Sequence, residues 1–275
     1  MDWHEGFRRI RVWHCVFLFL VPKVLEALLM EYASTPQWSL FVNSMVLYPI
    51  PFTLFLVCAT VILRDIGLSW GAFFGRPKDI KSLGVLALFP AKPGLYVAVI
   101  GIQIYTLQRL GFHVVDAQSY NSEGVPGQAC PVGIIAHWKH AVFYLSTGIL
   151  APIQEEILYR GFVLSWLAVR FGNTIAVILS SIVFGFAHQF VQVPTRAATG
   201  LLEGVARVYY RTLWIPIALH IANNAVFSEV IVNCLKVDTV PFAPMTHLWY
   251  YLLILGFCLV CLAAPALLRP QCDDR

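Results

Sequence analysis

Charged side chains are scarce in this sequence. Only 12% of its 275 residues are Asp, Glu, Lys or Arg, and 59% are hydrophobic. Soluble domains carry about 25% charged residues, so this chain has half the usual supply and too few polar residues to cover a soluble surface. The shortage argues against a soluble domain and favours an integral membrane protein.

Several functional signatures are also missing. The net charge is only +4 and no basic run occurs, which argues against nucleic-acid binding. Of the seven cysteines, only Cys258 and Cys261 stand in CxxC spacing, on one face of the last apolar stretch, where packing is the expected role; the sequence also lacks HExxH. No small-residue cleavage site follows the first apolar stretch, so we expect a retained helix there and not a signal peptide.

The most prominent features of the sequence are its long apolar stretches. Three are clear, each long enough to cross a bilayer core of about 20 residues: residues 39–63, 171–195 and 239–268. Five weaker ones are residues 12–30, 82–107, 139–168, 197–210 and 213–235. They predict an all-α, polytopic transmembrane helical bundle of about eight helices. Seven is the alternative, because the 197–210 stretch is short and contains Glu203 and Arg207.

The basic residues predict how the bundle is oriented. With the N-terminus inside, twelve basic residues fall in inner segments, and the outer segments hold only Arg109, Lys139, Arg196 and Lys236. This bias predicts that both termini are cytoplasmic. The polar stretch over residues 108–137 is then an outer loop.

Three ionisable residues interrupt an apolar segment in QEEILYRG, residues 154–161. A charge at mid-bilayer costs roughly 2.5 to 3.5 kcal/mol, so such residues are usually paired and functional. Glu156 and Arg160 lie on one helical face and can pair. Glu155 points about 100° away and is free to face a cavity. The alternative is a structural charge cluster near the cytoplasmic end of the helix.

Two further motifs place polar groups in apolar helices. His188 follows Phe184 by one turn in FGFAHQF, and His220 shares a face with Asn224 in HIANN. Each histidine alone is more typical of a hydrogen-bonded core residue. Together, the three motifs put two carboxylates, two imidazoles and an amide on three apolar helices. Four other ionisable residues receive no role from the sequence: Glu26, Lys92, Glu203 and Glu229.

The depths of the two histidines raise a geometric question. Counted from Thr174, His188 lies about 20 Å from the cytoplasmic side, whereas His220, counted from Leu213, lies about 10 Å deep. The helices must therefore tilt, or begin at different heights, if these side chains are to converge.

In this order and spacing, the three motifs resemble the CPBP family (CAAX proteases and bacteriocin-processing enzymes), which includes the type II CAAX prenyl endopeptidases. The resemblance covers about residues 138–235, and GFVLSWLAVRFG and YYRTLWIPIALH look like the prokaryotic branch. It implies three parts. Residues 1–137 hold the first three helices and the outer loop, 138–235 the catalytic helices, and 236–275 the last helix and a cytoplasmic tail.

The resemblance implies an intramembrane endopeptidase. Glu155 would be the base that activates water, assisted by His188. His220 and Asn224 would stabilise the oxyanion formed when water attacks a peptide carbonyl. The implied substrate is a protein or peptide in or at the bilayer. The implied location is a bacterial inner (plasma) membrane, with the active site open to the cytoplasm.

Supporting roles and a metal also follow from the resemblance. Arg160 would hold Glu156, itself a catalytic candidate, ionised and oriented, and Phe184 would keep the site dry. Metal dependence stays open, because two histidines and a glutamate are able to bind zinc with an open position for water. The zinc ligands would be Glu155, His188 and His220.

Two other classes of function are alternatives. A non-catalytic bacteriocin-immunity or scaffold protein would keep the fold, but it needs no such set of polar residues. An ion or solute transporter would use carboxylates and histidines as a proton relay. Transporters often have two related halves, whereas here the recognised polar set lies in one half.

Overall fold

The computed structural model describes residues 5–33, 49–76, 84–110, 145–225 and 248–267. All regular structure in these ranges is helical. We number ten helices in chain order: α1 Glu5–Arg8, α2 Val12–Ala33, α3 Pro49–Asp65, α4 Trp70–Phe74, α5 Gly84–Arg109, α6 from Ser146 to Phe171, α7 Asn173–Phe186, α8 Val193–Tyr210, α9 Trp214–Ile221 and α10 Leu248–Leu267.

Helix α6 is not uniform along its length. It consists of a π-helical turn Ser146–Leu150, an α-helical turn Ala151–Glu156, a second π-helical segment Ile157–Val163 and an α-helical end Leu164–Phe171. π-Helical turns inside α-helices are rare and often mark functional sites. The two adjacent glutamates end the short α-helical turn, where the winding of the helix changes.

The helices form two main packed groups. One apolar cluster joins α1 to α4 with α6 and includes Phe184 of α7 and Ile217 of α9. A second joins α5, α8, α9 and α10. Gly101 allows α5 to pack closely against α10, because a β-carbon at this position would lie 2.0 Å from the ring of Tyr251 in α10. Helix α9 therefore contributes to both clusters, and α6 of the first meets α8 of the second through the pair of Arg160 and Glu203.

The outer surface of several helices is apolar. Large hydrophobic side chains are exposed along α2, α3, α7 and α10, including Phe17, Val61, Ile178 and Phe257. Such a surface is unfavourable in water and is expected next to lipid. Within the described residues, Val12–Leu29 and Gly84–Leu107 are long and apolar enough to span a membrane. Length and composition alone are weak support, and the exposed apolar faces add to it.

Each of the eight predicted apolar stretches contains a helix, but one stretch is corrected. The apolar run 171–195 is not one continuous helix: α7 ends at Phe186, a 3-10 turn covers Phe190–Gln192, and α8 begins at Val193. Apolarity alone does not mark this break, because every residue on both sides is uncharged. The predicted outer loop over residues 108–137 begins inside α5, which extends to Arg109, and its residues 111–137 lie outside the described residues, as do the predicted part boundaries at 137 and 235.

Candidate functional site

The two adjacent glutamates occupy different environments. Glu156 is fully buried, whereas the side chain of Glu155 is 30% exposed. Arg160 donates from Nη1 to Glu156 Oε1 at 3.0 Å, which confirms the predicted ion pair. Glu155 takes no part in that pair and lines a cavity. The rotation of about 100° between neighbouring helical residues separates a buried ion pair from a cavity-facing carboxylate.

Four charged side chains form a buried network around that pair. Arg160 also donates to Glu203 Oε2 of α8, and Glu203 Oε1 accepts from Lys92 of α5. Lys92 is 3% exposed, and the other three are completely buried. Two carboxylates and two cations sum to zero charge, so burial leaves no net charge in the network. Because unpaired buried charges are costly, this balance explains how four ions lie inside an apolar bundle.

His220 connects the network to the cavity-facing glutamate. Its Nδ1 lies 2.7 Å from Glu156 Oε1 and 3.5 Å from Glu203 Oε1. Two carboxylate oxygens on this side require a proton on Nδ1, so Nε2 is the nitrogen that is free to change state. Nε2 lies 3.7 Å from Glu155 Oε2. His220 therefore has one edge in the buried network and the other beside Glu155.

The ring of Phe184 lies at the centre of this arrangement. The guanidinium carbon of Arg160 lies 4.2 Å from the ring centroid, and the ring of Tyr159 packs edge-on at 5.1 Å. The rings of His188 and His220 lie 4.8 Å and 6.0 Å from it. Both histidines thus contact one aromatic ring, and the difference in depth expected from helix lengths does not separate them.

His188 is not inside a helix, contrary to the sequence interpretation. Helix α7 ends at Phe186, and His188 lies in the bend that follows. Its Nδ1 lies 2.9 Å from the carbonyl oxygen of Phe184. This contact requires a proton on Nδ1 and leaves Nε2 as an acceptor. A histidine at a helix end, with one nitrogen fixed and the other accepting, is suited to take a proton from water.

Glu155 and His188 line the same cavity, which measures about 230 Å³. Tyr159 and Gln154 of α6 line it as well, and α2 forms the opposite wall. On that wall, Lys23 donates to Glu26 Oε2 at 2.8 Å. The cavity therefore has one carboxylate and one imidazole on one side and an ion pair on the other.

Asn224 lies in a helical turn that continues α9 over residues 222–225. Its Nδ2 donates to the carbonyl oxygen of Thr147 at 3.4 Å, and its Oδ1 accepts from Asn223 at 3.3 Å. An amide nitrogen has two N–H groups, so one donor remains after the contact with Thr147. The structure thus brings Glu155, Glu156 and His220 into contact, places His188 on the cavity of Glu155, and leaves Asn224 one turn beyond His220.

One group of described side chains has spacing suited to a metal ion. Ligand atoms of Glu156, Glu203 and His220 all lie within 4.8 Å of one another. However, both carboxylates already pair with Arg160 or Lys92, so this group already has its counter-charges in the protein.

The predicted zinc ligands Glu155, His188 and His220 are a different set. Each histidine has its Nδ1 held by an oxygen, as zinc-binding histidines usually do. Both Nε2 atoms are therefore acceptors, and Glu155 adds a carboxylate. The donor types of this set suit zinc, but among the described residues only the group of Glu156, Glu203 and His220 has the spacing of a metal site.

The sequence interpretation missed two of the residues that complete the network. Glu203 and Lys92 were noticed as ions in apolar helices but received no partner. Their contact joins residues 111 positions apart, and no local spacing reports such a pair. The available signal was the free-energy cost of placing these two charged side chains in a bilayer. This cost predicts that each side chain has a partner, but it does not identify the partner. Glu229, also left without a role, lies outside the described residues.

Two comparisons with known proteins concern this part of the chain. Residues 137–226 match the family model described as "Type II CAAX prenyl endopeptidase Rce1-like". The chain is also 26% identical over 220 residues to the "Membrane-embedded CAAX protease MroQ" of Staphylococcus aureus (strain USA300), covering 76% of this chain and 84% of that protein. No solved structure matches the chain. All three motifs lie within the segment matched by the family model.

Proposed function

The resemblance to the CPBP family is confirmed over residues 137–226, and on this premise we propose that the protein is an intramembrane endopeptidase. Its substrate would be a protein or peptide in or at the membrane, as the relatives' names suggest for those proteins. One observation carries the proposal: Glu155 faces a cavity lined by His188 while the buried network holds His220 beside it. A scaffold or immunity protein would have no need for this pairing.

The first step would be activation of water in the cavity. Glu155 accepts a proton from the water, and the acceptor nitrogen of His188 helps to orient it. The hydroxide formed attacks the carbonyl carbon of the substrate, and the proton then passes to the leaving amine. General bases of this kind typically contribute about 10² to 10⁴ in rate.

The oxyanion would be stabilised from the side of α9. Because Nδ1 of His220 is committed to carboxylates, donation from Nε2 requires the imidazolium form. With Glu155 ionised, that form leaves the whole set of Glu155, Glu156, Glu203, Arg160, Lys92 and His220 neutral. One N–H of Asn224 is the second donor. A donor of this kind is worth roughly 2.7 to 4 kcal/mol in hydrolases that have been tested.

The role proposed for Glu156 is positioning. It accepts from both Arg160 and His220 through the same oxygen, so it fixes the imidazole ring and the nitrogen that carries the proton. Phe184 excludes water from the other side of both histidines. These residues act through the groups that would touch substrate, and none of them lines the cavity.

A zinc ion, where present, would be held by Glu155, His188 and His220 and would polarise a bound water. In that form, Glu155 and Nε2 of His220 would serve as ligands in place of the base and the oxyanion donor described above. Metal analysis of protein purified without chelator tests this point directly. Loss of the metal signal in His188→Ala, together with an unchanged metal signal in His14→Ala, would support this set of ligands. A metal content equal in both variants would contradict it.

We also propose the eight-helix topology, with both termini and the opening of the site on the cytoplasmic side of a bacterial plasma membrane. The protein would have three parts: residues 1–137, the catalytic helices 138–235, and the last helix with its tail. Reporter fusions at Asp116 and at the C-terminus are expected to report opposite sides. Reports from the same side would favour seven helices.

The proposal is tested by Glu155→Gln, which keeps the shape of the side chain and removes the base. Membranes of a deletion strain would be complemented with the wild type, Glu155→Gln or Glu5→Gln, and all new protein termini compared by mass spectrometry. Glu5 is the matched control, because its side chain is 81% exposed and pairs only with Arg9. We expect cleavage sites that are present with the wild type and Glu5→Gln but absent with Glu155→Gln.

Two results would count against the enzyme. Identical termini in all three strains would remove the support for proteolysis. If a partner still co-purified with each variant, the scaffold function would replace it. Undiminished cleavage by Glu155→Gln would instead make Glu156 the next candidate base.

A further inference from the structure

A second cavity lies at another place in the bundle, away from the glutamates. It measures about 490 Å³ and is formed by the loop between α1 and α2, the end of α3 and the end of α6. Four arginines line it, Arg8, Arg9, Arg11 and Arg170, against the single carboxylate of Asp65. Neither the matched family segment nor the catalytic proposal assigns any role to this cavity.

The arginines make the cavity strongly positive. Arg9 has only a long contact with Glu5, at 3.8 Å between two exposed groups. Arg170 donates to the carbonyl oxygen of Ile10, which holds its guanidinium at the wall. Four cations against one carboxylate leave an excess of three positive charges. A concave site of this charge attracts an anion.

A buried histidine provides the second, independent observation. His14 is 2% exposed and lines this cavity. Its Nδ1 accepts from the backbone N–H of Arg11 at 3.1 Å, so in the neutral ring the proton is on Nε2. Nε2 is buried and has no hydrogen-bond partner. A buried donor without a partner is costly, and the residue that carries it lines the cavity.

The position of the cavity indicates the kind of anion. The arginines cluster at one end of the bundle, where α2 and α3 have apolar, exposed outer faces. Basic residues at the end of membrane helices lie at the level of the lipid headgroups, where anionic lipids attract them. Arginine forks and a histidine N–H together match the oxygens of a phosphate.

We propose that this cavity binds a phosphate group, supplied by the headgroup of an anionic phospholipid or by a free phosphate ion. The guanidiniums bind the phosphate oxygens from the open side, and His14 Nε2 donates from the buried side. The bound group ties the start of α2 to the ends of α3 and α6. This inference does not depend on the proposed protease activity.

The test uses the full chain in detergent and native mass spectrometry with phosphatidylglycerol, and phosphatidylcholine as the neutral comparison. The double variant Arg8→Gln with Arg11→Gln removes two charges from the cavity. Its matched control, Arg64→Gln with Arg76→Gln, removes two exposed charges that do not line it. We expect the cavity variant to bind phosphatidylglycerol roughly 25-fold more weakly, at about fivefold per arginine, and the control to change little.

His14→Phe separates a built site from diffuse attraction, because it keeps the net charge and removes the N–H. We expect about tenfold weaker binding from the loss of a hydrogen bond to a charged group. Its fold is checked by circular dichroism, and the arginine variants carry the test if it does not fold. Equal losses in the cavity and control doubles would overturn the proposal. Equal binding of phosphatidylglycerol and phosphatidylcholine, with no effect of phosphate, would also overturn the proposal.

Inorganic phosphate distinguishes the two sources. It is added to the lipid-free protein at constant ionic strength, with chloride as the comparison. A rise in the unfolding temperature that is lost in the Arg8/Arg11 double variant identifies a free phosphate ion as a ligand. Tight binding of phosphatidylglycerol without a response to phosphate identifies the lipid headgroup.

Discussion

Replacing Lys92 by methionine removes one of the four charges in the buried network and leaves a side chain of similar length. Lys92 is 3% exposed, and its ammonium pairs with Glu203. The substitution leaves Glu156 and Glu203 to share the single cation of Arg160. The network then carries a net charge of −1 among fully buried side chains.

The expected cost is large compared with the stability of the protein. Removing one partner of a buried ion pair typically costs about 3 to 5 kcal/mol, whereas whole proteins are stable by about 5 to 15 kcal/mol. The double variant Lys92→Met with Glu203→Gln removes one charge of each sign. Arg160 then pairs with Glu156 alone, and the net charge returns to zero. We therefore expect the double variant to recover most of the loss.

The measurement is a double-mutant cycle on purified protein, with the free energy of unfolding taken from denaturant titration in mixed micelles. Lys23→Met is the matched control, because Lys23 pairs with Glu26 but its side chain is 58% exposed. Exposed pairs contribute about 0 to 1 kcal/mol, so we expect a small effect. A loss for Lys92→Met no greater than for Lys23→Met would refute the buried network. Additive losses in the double variant would refute the charge balance.

Two further predictions concern the packing and the site. Gly101→Ala is expected to destabilise the protein by about 1 to 3 kcal/mol, because its β-carbon would overlap the ring of Tyr251. Gly256→Ala is the control, since open space surrounds Gly256. Equal unfolding temperatures of the two variants would contradict the close approach of α5 and α10. Asn224→Ala is expected to keep weak proteolysis, since it removes one of at least two oxyanion donors, and unchanged cleavage in the terminus comparison would exclude that role.

Local spacing was sufficient to predict one part of the site. Glu156 and Arg160 are four residues apart, and their pair forms as predicted because it depends only on helical geometry. The prediction that Glu155 faces a different direction rests on the same geometry. His220 and Asn224 also lie one turn apart, although that turn is π-helical beyond Ile221.

The pair between distant residues and the break between α7 and α8 could not be predicted from the sequence. Lys92 reaches Glu203 across two packed helices, and apolar residues on both sides give no register for that contact. His188 follows the end of α7 because the chain turns there through the bend and the 3-10 segment before α8 begins. The residues at this break carry no charge, so the hydropathy pattern continues across it without interruption. The catalytic roles of Glu155, His188, His220 and Asn224 remain predictions.

The adjacent glutamates of QEEILYRG show how one helix places two carboxylates in different environments. A single buried carboxylate would be either unpaired, and so costly, or paired, and so a weak base. In this protein Glu156 pairs with Arg160 and His220, while Glu155 lines the cavity. The paired residue holds the imidazole that lies 3.7 Å from its neighbour. The buried cluster and the cavity-facing carboxylate are therefore two parts of one arrangement, so a structural charge cluster and the proposed catalytic site are not exclusive interpretations of the motif.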